Sequence, residues 1–198
     1  IGVALTQGID YSTIQTALEQ ISQIPGRMEP IESGQPFTVI VDYAYEPVSL
    51  GLLYRFWRKM SPDSKLITLI SSTGGGRDVS RRSGNGKVAA ELCDTVIVTD
   101  EDPYDDDPME IMQQVAQGVE AGGKVLNQNF WIIPDRRQAI TAAFKLAKSG
   151  DLVFLTCKGA DQKICRAHGK KEPWDDRVVV KEELQKLIKE SGDSIKNL

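Results

Sequence analysis

Gly74-Gly-Gly-Arg-Asp78, followed by Arg81, Arg82 and Lys87, is a glycine-rich loop with clustered positive charge in a chain of net charge −4. Glycines let backbone N–H groups approach an anion closely, and Arg77 offers a planar fork suited to a carboxylate or a phosphate. The spacing is neither a P-loop nor a dinucleotide fingerprint, so the glycines alone equally suit a mobile turn with solvated arginines. Glu101-Asp-Pro-Tyr-Asp-Asp-Asp107 gathers carboxylates ahead of a helix. A solvated, dipole-favoured helix start accounts for that run better than calcium, because EF-hand spacing is missing. Asp42-Tyr-Ala-Tyr-Glu-Pro47 sets two carboxylates and two phenols at the end of an apolar run. Cys157, Lys158, Gly159 and Asp161 make a fourth polar stretch. His168 stands beside Gly169 without a matching Ser or Cys motif and is read as structural. No metal site is expected.

Side chains so far apart in sequence meet only if the fold delivers them to one place. The uncharged run over 37–41 reads as a strand buried on both faces, as in a parallel sheet covered by helices. Pro47, well placed in a first helical turn, opens an amphipathic segment through Leu50, Leu53 and Trp57. Further strands are expected over 65–70, 95–99, 130–133 and 152–156. Helices are expected over 86–93, 108–119 and 180–189, with another capped by Asp135 and running through Leu146. Near the start, Ser12-Thr-Ile-Gln15 reads as a capping box, with Ile14, Ala17, Leu18 and Ile21 on one helical face. The alternation predicts an α/β fold: Rossmann-like, a mainly parallel sheet with helices on both faces, plus a short helical N-terminal appendage. Ligands of open α/β sheets bind at the C-terminal strand edge, so the loops 42–46, 73–82, 100–107 and 157–161 are expected to converge there.

At 198 residues the chain is one large domain or one domain with an appendage. The polar stretch Glu32-Ser-Gly-Gln-Pro36 is the candidate linker, dividing residues 1–35 from 36–198. Apolar and charged fractions of 40% and 26% are those of an ordinary globular protein. The negative balance argues against nucleic-acid binding. No apolar run reaches membrane-spanning length and no signal peptide is read. Three cysteines without metal-site spacing suit reduced thiols, hence a cytoplasmic protein. The start at Ile1 reads as a piece excised from something longer.

Gly26-Arg-Met-Glu29, Asp42-Tyr-Ala-Tyr-Glu-Pro47, Gly74-Gly-Gly-Arg-Asp78, Asp107-Pro108, Asp135-Arg136-Arg137, Lys158-Gly159 and Asp175-Asp-Arg177 occur in an order that resembles the Mur ligases, nearest the MurE branch. The resemblance covers nearly the whole chain and maps it onto the C-terminal domain, with residues 1–35 as the tail of the central ATPase domain. It implies a domain that brings in the incoming amino acid and closes over ATP. The reaction implied is ATP-dependent amide formation through an acyl-phosphate, with Mg2+ in the full-length enzyme. Its partners would be a UDP-N-acetylmuramoyl dipeptide and a diamino acid, lysine or diaminopimelate, with the protein a monomer. With no P-loop of its own, the fragment is expected to be inactive alone and to hold no cofactor. The alternatives are another Mur or folylpolyglutamate-type ligase and a non-catalytic Rossmann-like binding module.

Matched residue by residue, the resemblance places Arg27 near the ATP phosphates, Asp42 near the ribose, and Tyr45 where a His is usual. Arg77 resembles the arginine that grips a carboxylate of the incoming amino acid. Asp102 and Tyr104 fall in a motif that reads Asp-Asn-Pro-Arg in diaminopimelate-adding enzymes, and Cys157 and Asp161 fall where those have Gly and Glu. Without an arginine at Tyr104, and with Asp102, Asp105 and Asp106 nearby, an acidic pocket is expected. It would use lysine or another distal amine at least as well as meso-diaminopimelate, unless Arg81 or Arg82 replaces the lost cation.

Overall fold

The structure is a computed structural model and describes residues 1–196, with side chains through 190. Two short helices come first, α1 (Gly2–Thr6) and α2 (Tyr11–Glu19), and of their side chains only Ile14 is buried. Asp10, not Ser12, caps α2. Its carboxylate accepts the Thr13 N–H at 2.9 Å and the hydroxyls of Ser12 and Thr13. A carboxylate is the stronger acceptor for the orphan N–H groups of a first turn, so it sets the start. The helix stops at Glu19, and Leu18 and Ile21 are exposed.

The α/β body follows as β1 (Glu29–Ile31), β2 (Thr38–Val41), α3 (Pro47–Met60), β3 (Leu66–Ile70), α4 (Ser80–Leu92), β4 (Thr95–Val98), α5 (Pro108–Ala121), β5 (Phe130–Ile132), α6 (Arg136–Leu146) and β6 (Leu152–Leu155). A small hairpin, β7 (Lys163–Cys165) and β8 (Lys171–Pro173), precedes α7 (Asp176–Lys196). The main sheet runs β1-β2-β6-β3-β4-β5, with β1 antiparallel and the other strands parallel. Alternation within the strands feeds two cores. Ile40 and Phe154 face Leu50, Leu53 and Tyr54 of α3 and the apolar sides of α4 and α5. Val39, Val41, Val153 and Leu155 face Ala139, Ile140 and Phe144 of α6 and Val180 and Leu184 of α7. Both faces of the parallel strands are therefore covered, as their continuous apolar runs require.

β1, α4, the hairpin and α7 depart from the sequence reading. β1 pairs with β2 ahead of the polar stretch at 32–36, so the sheet starts upstream of it; Pro30 is tolerated there because β1 is an edge strand. α4 begins at Ser80 rather than near 86. Its inner face is made of Arg82, Asn85 and Gly86 rather than a periodic apolar stripe, which hides the first turns from hydrophobic periodicity. A Cβ at Gly86 would collide with the Val115 carbonyl of α5, and one at Gly118 with the Ser83 backbone, so α4 and α5 meet backbone to backbone. The stretch between Asp161 and the last helix, where no strand is expected, holds the hairpin, and α7 starts at Asp176 rather than 180.

Candidate functional site

The four loops expected at the C-terminal edge of the sheet do meet there, around a cleft of about 230 Å³. The loop after β2 contributes Tyr43 and Tyr45; the loop after β3 and the start of α4 contribute Thr73, Arg77 and Arg81. Glu101, Asp102 and Tyr104 come from the loop after β4, and Cys157 and Asp161 from the loop after β6. Tyr45, Arg77, Asp102, Tyr104, Cys157 and Asp161 are thus brought together as the sequence suggested.

Arg27 and Asp42 lie beside the cleft rather than in its lining. Asp42 is buried where β2 ends, and its two carboxylate oxygens accept N–H groups of Met28 and Ala44, each at 2.7 Å. One side chain thereby ties the segment carrying Arg27 to the loop carrying Tyr43. The Arg27 guanidinium sits 4.6 Å from the centre of the Tyr43 ring, and Tyr43 packs edge-on against Tyr45 at 5.3 Å.

The acidic run is directed mostly away from the cleft. Lys158 is fully buried, and its Nζ donates to both oxygens of Asp102 at 3.0 Å and to the Lys163 carbonyl at 2.6 Å. Asp102 also accepts the Cys165 N–H at 2.7 Å. Asp106 pairs with Arg82, Asp105 accepts the His168 N–H, and Asp107 caps α5. The expectation of an acidic pocket built from Asp102, Asp105 and Asp106 is therefore corrected: one is neutralised by an internal lysine and the other two do not line the cleft. A buried carboxylate has to be paired or hydrogen-bonded, and Lys158 is the group that the fold supplies.

Glu101 is the site residue that sequence reasoning passed over. It is buried on the cleft wall, accepts the Ser71 hydroxyl at 3.0 Å and the Thr73 hydroxyl at 3.2 Å, and burial pushes its carboxyl above the ordinary value of 4.5. Its signal was its place next to Asp102, which a run of seven mostly acidic residues conceals. Tyr104 has φ 53° and donates its N–H to the Cys165 carbonyl at 3.0 Å, so the hairpin fixes it. Its ring is where a Cβ on Gly75 would fall, at 2.8 Å, and this close approach, with φ +64°, calls for a glycine in the Arg77 loop. Cys157 is buried with φ 80°, and burial pushes its thiol up to about 11; it is wall, not nucleophile. The Asp161 carboxylate is 3.8 Å from Lys158 Nζ and partly exposed. Of the two arginines after the glycine loop, Arg82 is internal, bonded to Gln114, Asp106 and the Thr73 carbonyl, and Arg81 lines the cleft. Among the described residues no group of His, Cys, Asp and Glu could hold a metal ion, and no helix is long and apolar enough to cross a membrane.

Residues 26–159 match the family described as the Mur ligase, glutamate ligase domain. The chain belongs to the Mur ligase family. A UDP-N-acetylmuramyl-tripeptide synthetase of Roseiflexus sp. (strain RS-1) is 40% identical over 93% of this Mur ligase chain, which covers 36% of that relative. A UDP-N-acetylmuramoyl-L-alanyl-D-glutamate–2,6-diaminopimelate ligase of Aquifex aeolicus is 39% identical, over 93% of the chain and 36% of the relative. A solved structure of a 2,6-diaminopimelate ligase of the same description superposes with a TM-score of 0.72 at 26% identity, over 93% of this chain and 36% of that one. The chain thus spans about a third of the length of the curated relatives it matches. The Mur ligase fold, with its Rossmann-like sheet, is as the sequence motifs implied.

Proposed function

We propose that this chain is the amino-acid-binding C-terminal domain of a MurE-type, ATP-dependent amide ligase. The full-length enzyme would add a diamino acid to UDP-N-acetylmuramoyl-L-alanyl-D-glutamate in peptidoglycan synthesis, as a cytoplasmic monomer. The observation that carries this reading is the convergence of four loops on one cleft holding Arg77, Glu101 and Asp161 together, next to Arg27 and Asp42. In this reading ATP converts the D-glutamate carboxylate to an acyl-phosphate, and the amino group of the diamino acid attacks it.

Arg77 grips a carboxylate of the incoming amino acid through its planar fork, while Asp161 accepts from an ammonium group. Arg27 neutralises charge near the ATP phosphates. Asp42 accepts from the ribose with the lone pairs that Met28 and Ala44 leave free, and Tyr45 flanks the nucleotide. Tyr104, Cys157 and Asp102 shape the cleft, Asp102 through its bond to Lys158. The chain contains no Gly-x-x-x-x-Gly-Lys-Ser/Thr sequence, so the phosphate cradle and the Mg2+ ligands belong to the remainder of the full-length protein. Of residues 1–35, those ahead of β1 are then the end of the central ATPase domain, since β1 belongs to the sheet of this one, and the isolated chain is inactive.

The test is product formation by the full-length protein from ATP, the UDP-linked dipeptide and a diamino acid, followed as ADP release and tripeptide. Arg77→Ala should raise KM for the amino acid about ten- to a hundredfold, as expected on losing a charge-assisted pair, with KM for ATP unchanged. Weakened ATP binding with an unchanged amino-acid KM would put Arg77 at the phosphates instead.

A further inference from the structure

The cleft holds a second guanidinium, one of the two that the sequence offered in place of the missing motif cation. Arg81 lines it alongside Arg77, and its side chain is only 10% exposed. Two groups hold it. Nη1 donates to Glu46 at 2.8 Å, and the Tyr45 ring lies 5.3 Å from its central carbon. Tyr45 is held in turn by Asn85, whose amide donates to the Tyr45 carbonyl at 2.9 Å. Arg81 Nε is buried and has no hydrogen-bond partner among the described residues. A guanidinium N–H without an acceptor in a nine-tenths buried side chain is costly, and an anion entering the cleft relieves that cost. The Nε edge is also the edge with which an arginine grips a carboxylate through two parallel bonds.

We propose that Arg81 is the specificity-determining residue of this cleft and pairs with a second carboxylate, at the far end of the incoming amino acid. The proposal rests on the amino-acid-binding reading above and names its substrate class: a diamino acid with two carboxylates rather than lysine. The charges support that choice. Asp102 is cancelled by Lys158, and Asp105 and Asp106 do not line the cleft. Two arginines therefore line the cleft with Asp161 and Glu101, whose carboxyl burial pushes above its ordinary value, and Arg81 also pairs with Glu46, which does not line the cleft. Such a cleft complements two carboxylates and an ammonium. Lysine would leave the Arg81 Nε without an acceptor, and a site built to pair a group rejects the analogue that lacks it. The Tyr45 ring, standing where a His is usual in the family, is the surface on which Arg81 rests.

The experiment is amino-acid competition on the full-length protein with meso-diaminopimelate and L-lysine, for wild type, Arg81→Gln and Arg81→Lys. Wild type should favour diaminopimelate in kcat/KM. Arg81→Gln should lower that value about ten- to a hundredfold for diaminopimelate and leave lysine within about twofold, with KM for ATP unchanged. Arg81→Lys, which keeps the charge but loses the fork, should fall between. A wild-type preference for lysine overturns the proposal. So does an equal loss with both amino acids, which would mark Arg81 as a support for Tyr45 and Glu46, or a raised KM for ATP, which would place it at the phosphates. If neither amino acid is joined, the ligase reading fails. Calorimetric binding of the same two amino acids to wild type and Arg81→Gln then judges Arg81 by itself: loss of diaminopimelate binding alone supports it, and equal or absent binding overturns it.

Discussion

A buried charge is tolerated only where its neighbours replace water, and the cleft shows two solutions side by side. Lys158 and Asp102 neutralise each other, with backbone groups of Lys163 and Cys165 meeting the remaining valences. Glu101, one residue away, is met by two hydroxyls, and its carboxyl titrates above 4.5. The consequence for stability has a definite sign. Below pH 4.5 Glu101 is protonated in both the folded and the unfolded chain and costs nothing. As pH rises past that value the unfolded chain releases its proton first, and stability falls until the folded state ionises too. Glu101→Gln removes that dependence, so its melting temperature relative to wild type should climb between pH 4 and pH 7. Thermal scans across that range check it, and a pH-independent difference would contradict the assignment.

At the scale of elements, α4 does more than cover the sheet, because its first turn carries both Arg81 and Arg82. Its position is set by the backbone contact of Gly86 and Ser83 with α5, and by Arg82 bonding across to Gln114 on that helix. Gly86→Val has no room to relax, since the atom it meets is the Val115 carbonyl rather than a side chain. Overpacking of this kind costs about 1–3 kcal/mol. Moving α4 also displaces Arg81, so the variant should lose that stability in urea titrations and raise KM for the amino acid while KM for ATP stays constant. The hairpin plays the corresponding part on the other wall. Cys165 bonds Asp102 and Tyr104 through its backbone, and Arg166 pairs with Asp100 and Glu172.

For the whole molecule, the parallel sheet has helices on both faces and two cores of its own, while α1 and α2 bury little. Arg136 locks the assembly from within. It bonds Asp176 through two nitrogens at 2.8 and 2.6 Å, and also reaches the carbonyls of Asp100 and Thr156, joining α6, α7 and the ends of β4 and β6. We predict that the chain folds cooperatively by itself, seen as a single denaturant transition. It should bind ATP more weakly than micromolar, because Arg27, Asp42 and Tyr45 offer no phosphate cradle. Titration calorimetry giving micromolar affinity would refute this.

The order of the five parallel strands and of the helices between them, the parallel character of the sheet and the edge at which its loops meet were legible in the sequence, because they depend on local quantities. An uncharged β-branched run such as 37–41 declares a buried strand, and Pro47, Asp107 and Asp135 declare helix starts within a few residues. The family motifs likewise identified Arg77, Tyr104 and Asp161 as neighbours. What the sequence could not show was which charges cancel. Asp102 meets Lys158 from 56 residues away, and Arg136 meets Asp176 from 40. Adjacent Arg81 and Arg82 look alike in sequence, yet they leave α4 in different directions, one into the cleft and one toward α5. A charge reads the same whether it ends in solvent, in an internal pair or at a ligand. Only packing decides among the three, because the electrostatic cost of each depends on the groups that tertiary structure places around it.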